Sequence, residues 1–296
     1  SGGSMSKRFE NKSIVITGAG AGLGRECALQ WSAEGGQIVV TDVVADRAHA
    51  VAKEITDAGG KAVALKVDVI SEAEVAESVK VAVENFGKLD IMFANAGRSL
   101  PGGPSIRETT EAQWDEVVNI VFRGVFFSGK HAALQMMKQH SGNIVVTTSA
   151  AGINAYPVGF GAYAAGKAGA IGLVRSMATE FGQFGIRVNG LAPTHGMSIN
   201  FALPLEAPVL NMSYEEFAMQ QGGTEWNESM CPGPLKVNRP PSLKDNAAVA
   251  TFLASDDSAF MSGLIIPACD DGNFARTSIY FEDTWTLEGM AEGAGS

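Results

Sequence analysis

Cysteine is scarce in this chain: three residues in 296, Cys27, Cys231 and Cys269, widely spaced and with no C-x-x-C pair. That excludes a disulfide scaffold or a thiolate zinc site as the organising element, and it favours a reducing, cytoplasmic setting. No run of about 18 apolar residues occurs, so no membrane span is expected. No basic-then-apolar leader opens the chain either. Positive charge is also in short supply, with 22 Lys and Arg against 32 Asp and Glu and a net charge of -10. Nucleic acid and anionic membrane are therefore poor partners. Of the four histidines, His49, His131 and His140 lie on other expected elements than His195, so no metal site is expected.

Apolar residues, by contrast, make up 46% of the chain and charged ones 18%, a globular composition with ample material for a core. Residues 1–4, before Met5, read as a cloning scar. Short β-branched runs then alternate with longer helical patterns. Strands are expected at Ser13–Thr17, Ile38–Thr41, Ala62–Val67, Ile91–Ala94, Gly142–Thr148, Gly185–Val188 and Leu264–Pro267. Helices are expected at Leu23–Ala33, Ala45–Ala58 and Glu72–Asn85. Continuously apolar strands separated by helices predict an α/β fold with a doubly wound, Rossmann-type parallel sheet in a single domain. Its ligand should lie outside the carboxyl ends of the strands.

The stretch from Gly196 to Pro241 breaks this rhythm. It is rich in Pro, Met and aromatics, with one helical pattern around Ser213 to Gln221. A segment this long without a strand reads as a lid or binding region. Its apolar residues (Phe201, Leu203, Leu205, Leu210, Met212, Phe217 and Trp226) argue against disorder. The tail, residues 276–296, is irregular and carries Tyr280, Phe281 and Trp285.

Between the first strand and the first helix lies Thr17-Gly18-Ala19-Gly20-Ala21-Gly22-Leu23-Gly24. Glycines let a backbone approach a pyrophosphate closely, and the helix start offers free N–H groups and the positive dipole end. A plain tight turn is the alternative, which the placement between strand and helix disfavours. Asp42 ends the second strand near the spacing at which an acid meets an adenosine ribose. A carboxylate there accepts both ribose hydroxyls and repels a 2′-phosphate, favouring NAD over NADP. A solvated strand-end acid, or the N-cap of the next helix, is the competing reading.

Tyr163 and Lys167 stand at i and i+4, one turn apart on one helix face. Ketone reduction needs a proton at the carbonyl oxygen as hydride reaches carbon, and a free tyrosine, with a pKa of about 10, is a poor base at neutral pH. A nearby ammonium favours the phenolate. Alone the pair is weak, since such spacing arises by chance on many helices. Ser149 follows the strand ending at Thr148, where the ligand crevice should open, and its hydroxyl can hold a substrate oxygen beside Tyr163. It reads equally as a loop or helix-cap serine.

Taken together, residues from about Lys12 to Gly272 resemble the short-chain dehydrogenase/reductase family, in its NAD-preferring form. Thr17 to Gly24 fits the T-G-x-x-x-G-x-G turn, Asp68-Val69 the pair at adenine, and Asn95-Ala96-Gly97 the N-A-G element. Asn119, Ser149, Tyr163 and Lys167 fit the catalytic tetrad, and Gly185 to Asn189 precedes the cofactor-covering loop. The resemblance implies Tyr163 as general acid/base and Lys167 as ribose ligand that lowers the tyrosine pKa. It implies Ser149 as holder of the substrate oxygen and Asn119 as support for a water leading from the lysine to solvent. It further implies NAD contacts from Gly18, Gly22, Leu23, Gly24, Asp42, Asp68, Val69, Asn95, Ala96, Gly97, Tyr163, Lys167, Pro193 and Ser198. Ala21 stands where NADP-using relatives often carry a basic residue. Residues 5–275 would form the dehydrogenase domain, with 196–241 as substrate lid, and a homotetramer would use the helices starting near Gln113 and Tyr163. Val117-Val118, Ile120-Val121 and Val125-Phe126-Phe127 would supply part of that interface.

Two departures stand out. Ala94 replaces the first Asn of N-N-A-G, and Thr194 replaces the glycine of P-G-x-x-x-T, changing the backbone freedom of that loop. Ser198 falls at the threonine of that pattern, within reach of a nicotinamide carboxamide. His195 reads either as a contact to substrate or cofactor or as a hydrogen-bonded structural residue. Tyr156 and Arg98-Ser99-Leu100 are expected to line the substrate cleft with Ser149, Tyr163 and His195. The composition of 196–241 suggests an apolar pocket for a hydrophobic secondary alcohol or ketone, or else packing against the domain or a neighbouring subunit. Competing functions are reduction of an imine or enone, and a non-catalytic NAD-binding scaffold.

Overall fold

Strand β1 (Ser13–Ile16) is wholly buried, and its neighbours β2 (Gln37–Asp42) and β4 (Ile91–Ala94) flank it on either side in parallel register, with Ile14 opposite both Ile38 and Ile91. With β3 (Lys61–Lys66), β5 (Gly142–Thr147), β6 (Ile186–Pro193) and β7 (Ile265–Ala268) this makes a seven-stranded, all-parallel sheet in the order β3-β2-β1-β4-β5-β6-β7. The computed structural model describes residues 7–100, 103–154, 159–231, 235–270, 272 and 274. Tyr156, the residues read as a scar and the tail 276–296 lie outside the described residues.

Parallel strands need helical crossovers, which cover both faces. The pleat divides the strands accordingly: Ile14 and Ile16 join one core with Trp31, Ile38 and Phe93, while Val15 and Met92 join the other with Met136 and Val146. The crossover helices are α1 (Gly22–Ala33), α2 (Ala45–Asp57) and α3 (Glu72–Phe86) in the first half. In the second half they are α4 (Glu111–Val118), α5 (Gly124–Gln139), α6 (Gly161–Phe181), α7 (Tyr214–Gly222) and α8 (Leu243–Ala254). None of the described helices is long and apolar enough to cross a membrane.

The strand order reverses between β1 and β4, which opens a crevice at the carboxyl ends of the strands. Three features differ from the expectation. β6 runs on past Val188 to Pro193, because Gly190 to Pro193 pair with β7, and the side chain of Asn189 is satisfied by Met261 O (2.7 Å) and Leu264 N (3.1 Å) just ahead of that strand. The helix expected near Gln113 starts at Glu111, with Thr110 and Gln113 in a reciprocal capping box, and passes through a π-helical turn at Asn119–Arg123 into α5. Val117, Val121 and Val125 are buried in the chain's own core and are not available to a subunit interface; Phe126 and Leu134 are the exposed apolar side chains of α5.

Candidate active site

Among the described residues, every site position singled out from the sequence, apart from Asn119, lies at or just past the carboxyl end of a strand or in the first turns of the helix after it. The glycine turn bridges β1 and α1. Gly22 takes φ +55, and a Cβ there would stand 2.8 Å from Ser198 Cβ, so the segment after β6 lies directly on the turn. Ala21, the N-cap of α1, makes no side-chain cap, which leaves the first-turn N–H groups to the crevice. Gly20 has a role the motif spacing did not reveal. A Cβ there would stand 2.7 Å from Asp42 Oδ2, and its N–H donates to that oxygen at 3.0 Å.

Asp42 is thus held by the turn itself. Its other oxygen accepts from Val44 N at 2.9 Å, and Val44, not Asp42, is the N-cap of α2. Burial pushes the Asp42 carboxyl above its ordinary value, against the lowering effect of the Val44 and Gly20 N–H groups and of Arg47. Arg47 reaches across to the segment after β6, donating to Leu205 O and, at 3.0 Å, to Ala207 O. Its position in the first turn of α2, five residues past Asp42, was the only sequence signal for that role.

A chain of hydrogen bonds joins this turn to the lysine. Thr17 Oγ1 accepts from Asn95 N and Ala96 N, both at 3.0 Å. Asn95 donates to Thr17 O (3.1 Å) and accepts from Thr147 Oγ1 (3.0 Å), and Thr147 O accepts from Lys167 Nζ at 2.6 Å. Lys167 is fully enclosed; its Nζ lies 5.5 Å from the centroid of the Tyr163 ring and 3.5 Å from where a Gly97 Cβ would be. Burial pushes its pKa down to about 7. Between that value and the ordinary 10.5 the unfolded chain holds more protons than the folded one, so stability rises with pH across the window. In Lys167→Met the cost of enclosing the ammonium is gone. The melting-temperature advantage of the variant over the parent is expected to shrink between about pH 6 and about pH 9. A constant difference in pH-resolved melts would contradict this account.

Tyr163 sits on α6 between two aromatic edges, with ring centroids at 6.2 Å for Phe160 and 5.0 Å for Phe201. Ser149 is nearly buried and caps a short 3-10 turn (Ala150–Gly152), accepting from Ala151 N at 3.1 Å. Asn119 opens the π-helical turn whose Val121 packs against Gly166 of α6, and it accepts from Gly124 N; π-helical turns recur at functional sites.

Two hollows meet here. A narrow cleft of about 170 Å³ runs past Gly18, Gly22, Leu23, Asp42, Asp68, Val69, Asn95, Ala96 and Gly97. A cavity of about 510 Å³ is lined by Ser149, Tyr163, Pro193 and His195, with Leu100, Phe160, Met197 and Phe201. Ser198 borders both, its hydroxyl accepting from Asn200 N (3.2 Å) and Asn200 Nδ2 (2.9 Å). Ser99 and Leu100 line the cavity as expected, whereas Arg98 turns to the cleft and pairs with Glu116 at 3.6 Å. Of the apolar residues of 196–241, Phe201 reaches both hollows, Leu203 and Leu205 the cleft, and Trp226 instead donates to Val237 O. The left-handed position of this loop falls on Gly196 (φ +68), so Thr194 keeps an ordinary backbone.

The cleft suits a dinucleotide: a glycine turn without side chains, an uncapped helix start, and a carboxylate at the end of the second strand. The sequence pattern of the short chain dehydrogenase family matches residues 12–198. Levodione reductase of Leifsonia aquatica is 33% identical over 266 residues, covering 89% of this chain and 95% of that protein. The 7alpha-hydroxysteroid dehydrogenase of Escherichia coli is 33% identical over 265 residues, covering 90% and 95%. A solved structure of 7alpha-hydroxysteroid dehydrogenase with NADH and 7-oxo glycochenodeoxycholic acid matches with a TM-score of 0.72 and 32% identity, over 88% of this chain and 94% of that one.

Proposed function

The chain belongs to the short-chain dehydrogenase family, and from that premise we propose that it is an NAD(H)-dependent oxidoreductase interconverting a hydrophobic secondary alcohol and its ketone. The observation that carries this reading is the seating of Tyr163 and Ser149 in the wall of the larger cavity, with Lys167 buried behind the tyrosine ring. A nicotinamide dinucleotide, when bound along the cleft, supplies or accepts the hydride. Gly18, Gly22, Leu23 and Gly24 would hold its pyrophosphate, Asp42 its adenosine ribose, and Asp68 and Val69 its adenine. Asn95, Ala96, Gly97, Lys167, Pro193 and Ser198 would surround its nicotinamide half.

The chain's own part is proton handling and orientation. Ser149 donates its hydroxyl hydrogen to the substrate oxygen while accepting from Ala151 N. The Tyr163 hydroxyl gives its proton to that oxygen in reduction and recovers it in oxidation. Lys167, with Thr147 O as a bonded acceptor, gains further acceptors from a ribose diol, which favours its charged form and through it the phenolate. Asn119 would carry the water that returns the proton to solvent. Two features support NAD over NADP. Asp42 directs a carboxylate at the ribose, and the guanidinium of Arg47 is engaged by Leu205 O and Ala207 O rather than offered to a 2′-phosphate.

The test is NADH absorbance with a panel of apolar secondary alcohols and ketones. Turnover on these is the expected result. Turnover on imines or enones alone would replace this reading with reduction of another polarised double bond, and binding of NADH without turnover on any of them would overturn catalysis.

A further inference from the structure

The larger cavity has walls of two kinds. Leu100, Phe160 and Phe201 make it apolar around Tyr163, but the side formed by the loop after β6 and the first turn of α7 is polar. There His195 Nδ1 lies 3.5 Å from Glu215 Oε1, with each side chain 22% exposed. The Glu215 carboxylate accepts from Gly196 N at 3.2 and 3.4 Å, which fixes its head against the cavity while lone pairs remain for a further donor. Neither Lys nor Arg lines this cavity among the described residues.

We propose that Glu215 and His195 are the specificity-determining anchor of this cavity. Its substrate is a ketone or alcohol carrying a second, hydrogen-bond-donating group, hydroxyl or ammonium, away from the reacting carbon. The inference rests on the oxidoreductase reading above and names the substrate class of that site. A partly enclosed carboxylate sorts substituents by what they present to it. A hydroxyl or an ammonium adds a donor to its remaining lone pairs, an alkyl group of the same size desolvates it without one, and an anion is repelled by it.

Cyclohexanones substituted opposite the carbonyl with hydroxymethyl, aminomethyl, ethyl or carboxylate test this. The protein is expected to prefer the hydroxymethyl or the aminomethyl ketone over the ethyl one by about tenfold or more in kcat/KM, mainly through KM, with the carboxylate last. Whichever donor leads identifies the substituent. Glu215→Gln, which keeps an acceptor for Gly196 N but loses the charge, is expected to cut that preference ratio several-fold. No preference over the ethyl ketone overturns the inference, as does a Glu215→Gln protein whose preference ratio is intact; should that variant not fold, the parent protein's ratio decides. Binding of the same ketones to the NADH-loaded protein, followed by NADH fluorescence, separates the two readings. Preferential binding without turnover upholds the anchor and removes the oxidoreductase. Turnover without preference removes the anchor alone, and neither binding nor turnover across the set overturns both.

Discussion

Replacing Tyr163 by phenylalanine is expected to lower turnover by about a hundredfold to ten-thousandfold while NADH still binds. The substitution deletes one hydroxyl and leaves the ring, so its edge contacts with Phe160 and Phe201 persist and the cavity keeps its shape. Lys167 keeps its bond to Thr147 O, and the glycine turn is untouched. What is lost is the proton donor at the carbonyl oxygen, and no other described side chain of the cavity wall combines a phenol with a lysine behind it. Steady-state rates on an active ketone, with NADH affinity measured by fluorescence titration, separate the two effects. Retained turnover would sink the proton-transfer role, and loss of NADH binding would mean that the phenol serves chiefly the cofactor.

Asp42→Ala is expected to reduce the ratio of NAD to NADP specificity by about tenfold to a hundredfold, the range of a hydrogen bond to a charged group together with relief of repulsion against a 2′-phosphate. The same change strips acceptors from Gly20 N and Val44 N, so a lower melting temperature should accompany it. Asp42→Asn separates these effects. The amide keeps one acceptor oxygen for the backbone but removes the negative charge, so specificity should erode with a smaller loss of stability. An unchanged ratio of kcat/KM for the two cofactors in both variants would rule out Asp42 as the ribose ligand. In either case Arg47 stays committed to Leu205 O and Ala207 O, so the switch comes from a lost carboxylate rather than from a new phosphate ligand.

Elements with strong local patterning are legible in the amino-acid sequence. The β-branched runs at Ile14 to Ile16 and Ile38 to Thr41 are strands, and the helical pattern around Ser213 to Gln221 is α7, opened by a Ser213–Glu216 capping box. Where a local signal points the wrong way, a distant contact overrides it. The β-branched signal ends at Val188, yet β6 runs on to Pro193 because Gly190 to Pro193 pair with β7 and Met261 and Leu264 satisfy Asn189. The resemblance assigns Val117, Val121 and Val125 to a subunit interface, yet they face the chain's own core. The π-helical turn at Asn119 leaves no mark in residue type at all.

Tyr163 and Lys167 show the division most plainly. Residue order alone specifies the strand patterns, the glycine turn, the acid at the end of β2 and the one-turn spacing of tyrosine and lysine. These follow from periodicity and backbone freedom, which act over a few residues. It takes the folded chain to seal Lys167 behind the tyrosine ring with its pKa near 7, to make Gly20 and Asp42 one unit, and to tie α2 through Arg47 to Leu205 and Ala207. Folding likewise brings Glu215 against His195 in the wall of the cavity. Burial, and the pairing of charges far apart along the chain, depend on which surfaces the sheet brings together, and no short stretch of sequence carries that information.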